Sequence, residues 1–254
     1  MKIYLAMGSI NNTRIKIFKE EGVQRILVSY AELQGSIPEL PFPDIILDSG
    51  AYGIGHSAKQ VSIKAYSLWL QLYLNKYSIV AYANFDNMLS PEESQQNLEY
   101  LESEGLYPMP VYHYGEPLDV LDKMCGKYEY IGLGGLSIGM ISTGKLRNFW
   151  EYIYERYKDN KFHIFGSTQM GAFINYQPFS LDSSSWTLGS RFGIFCGYRN
   201  ELPALIPMRE KEGIQLFFTA YERYRNNIRA MLDWEKLEWL KNVNKDESKQ
   251  VRLL

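Results

Sequence analysis

The sequence predicts an α/β fold, a (β/α)8 TIM barrel with extra C-terminal helices, and three observations carry that expectation. Eight short apolar runs punctuate the first 184 of the 254 residues. Helical patterns separate most of them, which argues for βαβ units around a parallel sheet. Three of the runs end in an aspartate: Asp48 in DIILDSGAYG, Asp86 in VAYANFD and Asp182 in PFSLDSSSW. Eight units in a chain of this length match a (β/α)8 barrel, whereas an open doubly wound sheet usually shows fewer strands.

In chain order the strands are expected at 2–8, 25–30, 44–50, 79–86, 108–114, 130–135, 162–166 and 179–184. The apolar runs that lead into the three aspartates read as buried parallel strands. The connection after the second strand, AELQGSIPELPFP, holds three prolines and leaves room for one helical turn at most. Between Ser57 and Tyr77, residues Val61, Tyr66, Leu68, Trp69, Leu72 and Tyr73 form a broad apolar helical face. Ser90-Pro91-Glu92-Glu93 starts the next helix with an N-cap, a proline in its first turn and a capping-box glutamate, and Gly105 lies past its end. From Thr143 to Asp159 the run LRNFWEYIYERY repeats the helical pattern. Past the barrel, about 2–195, a helical extension is expected over 200–254. There Phe217, Tyr221, Tyr224, Ile228 and Met231 share one face. That helix packs on the barrel, or it offers Arg223, Arg225 and Arg229 to phosphates. With no repeat or linker in view, 1–254 reads as one domain.

Composition bounds the function classes. A formal net charge of −2, 46% hydrophobic and 22% charged residues describe an ordinary globular protein with no global pull toward nucleic acid. Cys125 and Cys196 are isolated, with no CxxC and no Cys/His cluster, so neither a disulfide framework nor a zinc site is indicated. That usage suits a reducing cytoplasm. The N-terminal MKIYLAMGS is too short an apolar run for a signal segment or a membrane span, so a cytoplasmic protein without a membrane partner is expected. The 20 tyrosines leave many rings for packing or for stacking on bases.

Carboxylates at the C-terminal ends of parallel strands sit where α/β barrels do chemistry, and three on different strands suggest a convergent acidic site. Each has a plainer reading. Asp48 and Asp182 can serve as helix caps, whereas Asp86 has Ser90 nearby as the better cap. Gly132, Gly134 and Gly135 can mark a tight turn or a crowded strand. His163, inside an apolar run, reads as a satisfied interior histidine. His56 reads as a solvent-exposed loop residue, and Arg191 as a surface residue or a phosphate contact.

Four motifs in order bring a resemblance into view. Asp48-Ser49-Gly50-Ala51-Tyr52 resembles the DSGG[FY] motif of the tRNA-guanine transglycosylases, and Gly134-Gly135-Leu136-Ser137-Ile138-Gly139 resembles their GGLAVG motif. Phe162 to Gly166 is similar to a strand of that superfamily, and Leu181-Asp182 followed by Arg191 to its nucleophile segment. The resemblance spans residues 40–195. It implies a (β/α)8 barrel that exchanges a nucleobase on a polynucleotide without cutting the backbone.

Carried over by position, the resemblance makes Asp182 the nucleophile and Asp48 the general acid/base. Asp86 becomes the acid that reads the Watson–Crick edge of a guanine-like base. Gly134 and Gly135 supply backbone near the base, Ser49 and Gly50 join the substrate-binding set, Tyr52 and Phe165 sandwich the base, and Arg191 meets a phosphate. Where the family carries a glutamine, this chain has His113 and Tyr114, both able to donate a hydrogen bond. No CxCxxC motif follows Asp182. In that respect the chain is most similar to the short, zinc-free, DNA-modifying branch of phages and bacteria, the DpdA proteins. The expected function is therefore exchange of guanine in DNA for a 7-deazaguanine base such as preQ0. The free base is a co-substrate, and no cofactor is implied. Transglycosylation of tRNA, a glycoside or N-ribosyl hydrolase, and a non-catalytic nucleic-acid-binding paralogue stand as alternatives.

Overall fold

The computed structural model describes residues 1–8, 10–33, 39–50, 62–136, 141–167, 169–173, 175–188, 192, 194–199, 202–207 and 219–236. Its centre is a curled sheet of eight parallel strands. They are β1 (Lys2–Met7), β2 (Arg25–Ser29), β3 (Asp44–Asp48), β4 (Ile79–Tyr82), β5 (Val111–His113), β6 (Tyr130–Gly134), β7 (Lys161–Ile164) and β8 (Ser180–Ser183). All eight coincide with expected strands, in the order β4-β3-β2-β1-β8-β7-β6-β5. The sheet's first and last strands in chain order, β1 and β8, run side by side, with Ile3 opposite Leu181 and Tyr4 opposite Asp182. The sheet thus curls as a barrel does.

The ladder stops short of a full circle. Between β4 and β5 it shrinks to one parallel bridge, Ala83 to Met109. Met109 N–H donates to Tyr82 O (2.8 Å), and Asn84 N–H to Met109 O (2.9 Å). Below the bridge, the phenol of Tyr82 takes the Tyr107 N–H at 2.6 Å. Above it, the chain turns away because Asn84 Nδ2 and the Asn87 N–H donate to Ser94. β4 therefore ends at Tyr82, and Asp86, expected at a strand end, lies four residues farther on in a loop.

Among the described residues six helices accompany the sheet: α1 (Asn12–Glu20), α2 (Ile63–Leu74), α3 (Pro91–Ser103), α4 (Leu118–Lys127), α5 (Thr143–Arg156) and α6 (Ala220–Lys236). Their starts follow side-chain chemistry. Asn11, Ser62, Ser90 and Ser142 cap the first turns of α1, α2, α3 and α5 by accepting the backbone N–H three residues on. Thr219 and Glu222 form a reciprocal capping box at α6. After Tyr30–Glu32, a single 3-10 turn is all that follows β2 before residues 34–38, which lie outside the described residues. One expectation fails on α2. Leu68 and Leu72 are exposed, and the helix buries Tyr66, Ser67, Leu70 and Tyr73 instead.

Side-chain alternation divides the core in two. Ile3, Leu5, Ile45, Leu47, Tyr112, Ile131, Leu133, Phe162, Ile164 and Leu181 point outward into the main core that contains the helices. The neighbours in between point inward, where Tyr4, Leu27 and Ile46 pack with Phe165, and Ala83, Met109 and Val111 pack on its other side.

The C-terminal part departs from the all-helical expectation. An antiparallel hairpin, β9 (Ile194–Arg199) and β10 (Leu202–Pro207), comes first. Asn227 ties it to α6, accepting the Cys196 N–H and donating to Ile194 O. α6 then buries Ile228, Met231 and Trp234 against the sheet-and-helix core, while Phe217 lies outside the described residues. Arg225 and Arg229, candidates for phosphates, close on Glu20 and Glu21 at the end of α1. No helix among the described residues is long and apolar enough to cross a membrane.

Candidate active site

Strand parity builds the site. Inward positions at the C-terminal end of the sheet are Ser29 on β2, Asp48 on β3, His113 on β5, Gly134 on β6 and Asp182 on β8. Asp86 joins them from the loop after β4. That loop is pinned to α3: Asn97 Nδ2 donates to Phe85 O (2.8 Å), and Ser94 Oγ accepts the Asn87 N–H (2.7 Å). The structure thus gathers Asp48, Asp86, Asp182 and His113 at one end of the sheet. Beneath them lies the ring of Phe165, lodged over Gly132, where any Cβ would collide with it. Phe165 is the floor of the bowl at this position.

Asp182 is buried on β8, with one oxygen held twice. Its Oδ1 accepts the Gly166 N–H at 2.9 Å and lies 3.3 Å from His163 Nε2. It does not cap the following 3-10 turn, where Ser183 Oγ accepts the Ser185 N–H instead. His163 is interior, as expected, but one of its partners is the candidate nucleophile.

Asp48 ends β3 and accepts the Gly50 N–H on Oδ2 at 3.0 Å. That turn requires glycine: Gly50 has φ +76°, and a Cβ there would strike Ser29 and Ala31. Burial first, then the charges of Asp86 and Asp182, push the Asp48 carboxyl up to about 8, against the opposing Gly50 hydrogen bond. It therefore carries its proton at neutral pH. Glu32, after β2, also faces Asp48; burial raises it, and Arg14 pulls it back.

Asp86 is held on both oxygens. Ser49 Oγ donates to Oδ1 (3.2 Å), and His113 Nε2 lies 2.8 Å from Oδ2. Each oxygen keeps a second lone pair for a ligand. The other ring nitrogen of His113 lies 3.1 Å from Glu116 Oε1. Burial pulls the imidazole down, but its hydrogen bonds to Asp86 and then Glu116 prevail and push it up to about 9. His113 is thus an imidazolium between two carboxylates. It sets a positive charge against Asp86 in a bowl of acids.

The remaining sequence candidates divide. Gly134 closes β6, and its missing side chain is the space His113 fills, since a Cβ would come within 2.8 Å of the ring. Gly135 follows with φ +74°. Tyr114 donates its N–H to Gly134 O, but its half-exposed ring packs edge-on against Phe149 of α5, 5.0 Å away, apart from the acids. Tyr52, Arg191 and His56 lie outside the described residues. Among the described residues no group of three His, Cys, Asp or Glu side chains is arranged to hold a metal ion.

Sequence reading missed Glu32, Glu116 and the His163–Asp182 contact. Glu32 follows a strand end, so the rule that found the aspartates would have found it. Glu116 sits three residues beyond His113 across a turn at Gly115 (φ +101°), and no strand pattern marks it. A separate groove of about 580 Å³ runs between α3 and α4 behind the β4–β5 seam, with Glu116 and Asn84 in its lining.

Chemically, the bowl offers a protonated carboxyl, a fixed carboxylate with one unengaged oxygen among the described residues, and an anion anchored by an imidazolium. That set can donate a proton, capture a cationic carbon and accept hydrogen bonds from N–H groups. No protein-family model matches the chain, and no curated protein matches it in sequence.

Proposed function

We propose that the chain is a (β/α)8-barrel transglycosylase that exchanges guanine in DNA for a 7-deazaguanine base through a glycosyl-Asp182 intermediate. The observation that carries this reading is the convergence of Asp48, Asp86 and Asp182 at the C-terminal end of the sheet, in different hydrogen-bonding environments. A site of three acids with three sets of partners fits breaking and remaking an N-glycosidic bond better than a single displacement by water.

In the first half-reaction, the Asp182 carboxylate forms a bond to the anomeric carbon. The bond to the base breaks, its electron pair leaves with guanine, and Asp48 gives its proton to the departing base. In the second, Asp48 takes the ring N–H proton of the incoming base. The freed nitrogen pair attacks the anomeric carbon, and Asp182 leaves as carboxylate. Asp86 accepts hydrogen bonds from the amino and ring N–H groups of either base. Its pairing with His113 fixes one of its oxygens in place for that task. The choice of DNA rests on the segment after Asp182. It carries a lone cysteine, Cys196, which is buried against Ser185 and Asn227. On duplex DNA the target nucleotide must be flipped out of the stack, at a cost of a few kcal/mol.

The test offers labelled preQ0 or guanine to the purified protein with guanine-containing DNA and tRNA in parallel, and Asp182→Asn as control. Label in DNA alone, lost in the variant, is the expected result. Label in tRNA alone replaces the acceptor, abasic sites without label identify a hydrolase, and unchanged labelling by folded Asp182→Asn removes the nucleophile.

A further inference from the structure

Below Asp182, inward-facing positions of three neighbouring strands place Ser180, His163 and Tyr130 in one polar layer. His163 is fully buried, wedged edge-on between Phe165 (centroids 4.5 Å) and Tyr4 (6.0 Å). A buried imidazole has to satisfy both ring nitrogens, one as donor and one as acceptor when neutral. Nδ1 lies 2.7 Å from Ser180 Oγ, and Nε2 lies 3.3 Å from Asp182 Oδ1. Tyr130 OH lies 2.5 Å from Ser180 Oγ and 3.4 Å from Nδ1. Burial, opposed by the Ser180 hydrogen bond and aided by Asp182, raises the Tyr130 phenol to about 12, so it stays a donor at neutral pH.

One polarity satisfies every atom. Tyr130 O–H donates to Ser180, Ser180 O–H donates to His163 Nδ1, and His163 Nε2–H donates to Asp182. We infer that His163 is a positioning residue for Asp182, held as the Nε2–H tautomer by the Tyr130–Ser180 hydroxyl chain. The inference rests on the reading of Asp182 as nucleophile. With Gly166 N–H and His163 Nε2–H both on Oδ1, the carboxylate plane cannot turn. Oδ2, without a partner among the described residues, is presented upward to the anomeric carbon. Orientation of this kind is a large part of what a fixed nucleophile contributes to rate.

The chain has three histidines, which makes 15N-histidine NMR of the whole protein tractable. At neutral pH, His163 is expected with Nε2 protonated and Nδ1 bare, its signal assigned by loss in His163→Gln. Asp182→Asn should shift the Nε2 proton, and Ser180→Ala should shift Nδ1. An Nδ1–H tautomer or a doubly protonated ring at His163 overturns the proposal whether or not the protein shows exchange activity. In the base-exchange assay, His163→Leu should lower kcat tenfold or more with KM unchanged. His163→Gln, which keeps a donor near the Nε2 position, should stay within a few fold of wild type. Equal rates for both variants overturn the positioning role. Undiminished exchange by Asp182→Asn instead overturns the nucleophile and leaves the tautomer to be judged by the spectra.

Discussion

Asp48 should cost this protein stability, and the cost should grow with pH. Its carboxyl sits at about 8 in the folded chain against an ordinary 3.8, chiefly because of burial and then of Asp86 and Asp182. Between those two values the folded state binds a proton that the unfolded state has released, so unfolding becomes easier as pH rises. Each pH unit in that window is worth about 1.4 kcal/mol, so from pH 5 to pH 8 the penalty grows by about 4 kcal/mol. That is a large share of the roughly 5–15 kcal/mol that holds a typical domain folded. Asp48→Asn keeps the shape and an oxygen for the Gly50 N–H but cannot ionise. Urea unfolding of both proteins from pH 5 to 9 should show the wild type falling away from the variant with rising pH. The gap should level off above pH 8. Curves that stay parallel across the range would refute the argument that burial and neighbouring carboxylates hold Asp48 protonated. The same variant should lose base exchange. A residue that weakens the fold and is needed for activity marks a site shaped by function.

His113 has the same sign over a different window. Its imidazolium stabilises the fold fully below pH 6.5, and that contribution disappears as pH rises through about 9, so His113→Gln should flatten the alkaline side of the stability profile. Replacing it by Leu leaves Asp86 and Glu116 facing each other without a cation, which should cost about 3–5 kcal/mol in chemical unfolding. Gly134→Ala places a methyl within 2.8 Å of the His113 ring and should destabilise by about 1–3 kcal/mol. By contrast, Gly126→Ala in α4 meets nothing within 4 Å and should stabilise by about 0.5–1 kcal/mol, both read from thermal melts. Glu21→Gln removes the buried carboxylate that receives both Arg225 and Arg229, and should loosen α6 from α1, seen as faster amide exchange across 220–236.

Much of the architecture was legible in the chain. Runs such as RILVS and DIILD have an unbroken apolar centre rich in β-branched residues, which reads as a buried strand, and Ser90-Pro91 writes its helix start in hydrogen-bonding chemistry. Asp48 and Asp182 were visible because strand ends are local features. The buried face of α2 and the C-terminal region were harder. Leu68 and Leu72 belong to an apolar pattern that continues all round the helix, and which side is covered depends on neighbours that periodicity does not name. The hairpin at 194–207 lies in a segment with no alternation clear enough to separate it from the helix that follows.

The sequence alone determined the strand–helix alternation, the acids at the strand ends and the absence of cysteine clusters, because each is fixed within a few residues. Tertiary structure decided the rest. It set the one-residue seam between β4 and β5, since Asn84 and Asn87 prefer Ser94 to a continuing ladder. It put His113 between Asp86 and Glu116 and stood His163 beneath Asp182. Those pairings join residues 3 to 27 positions apart, and the charge state of each group depends on how deeply its partners are buried with it.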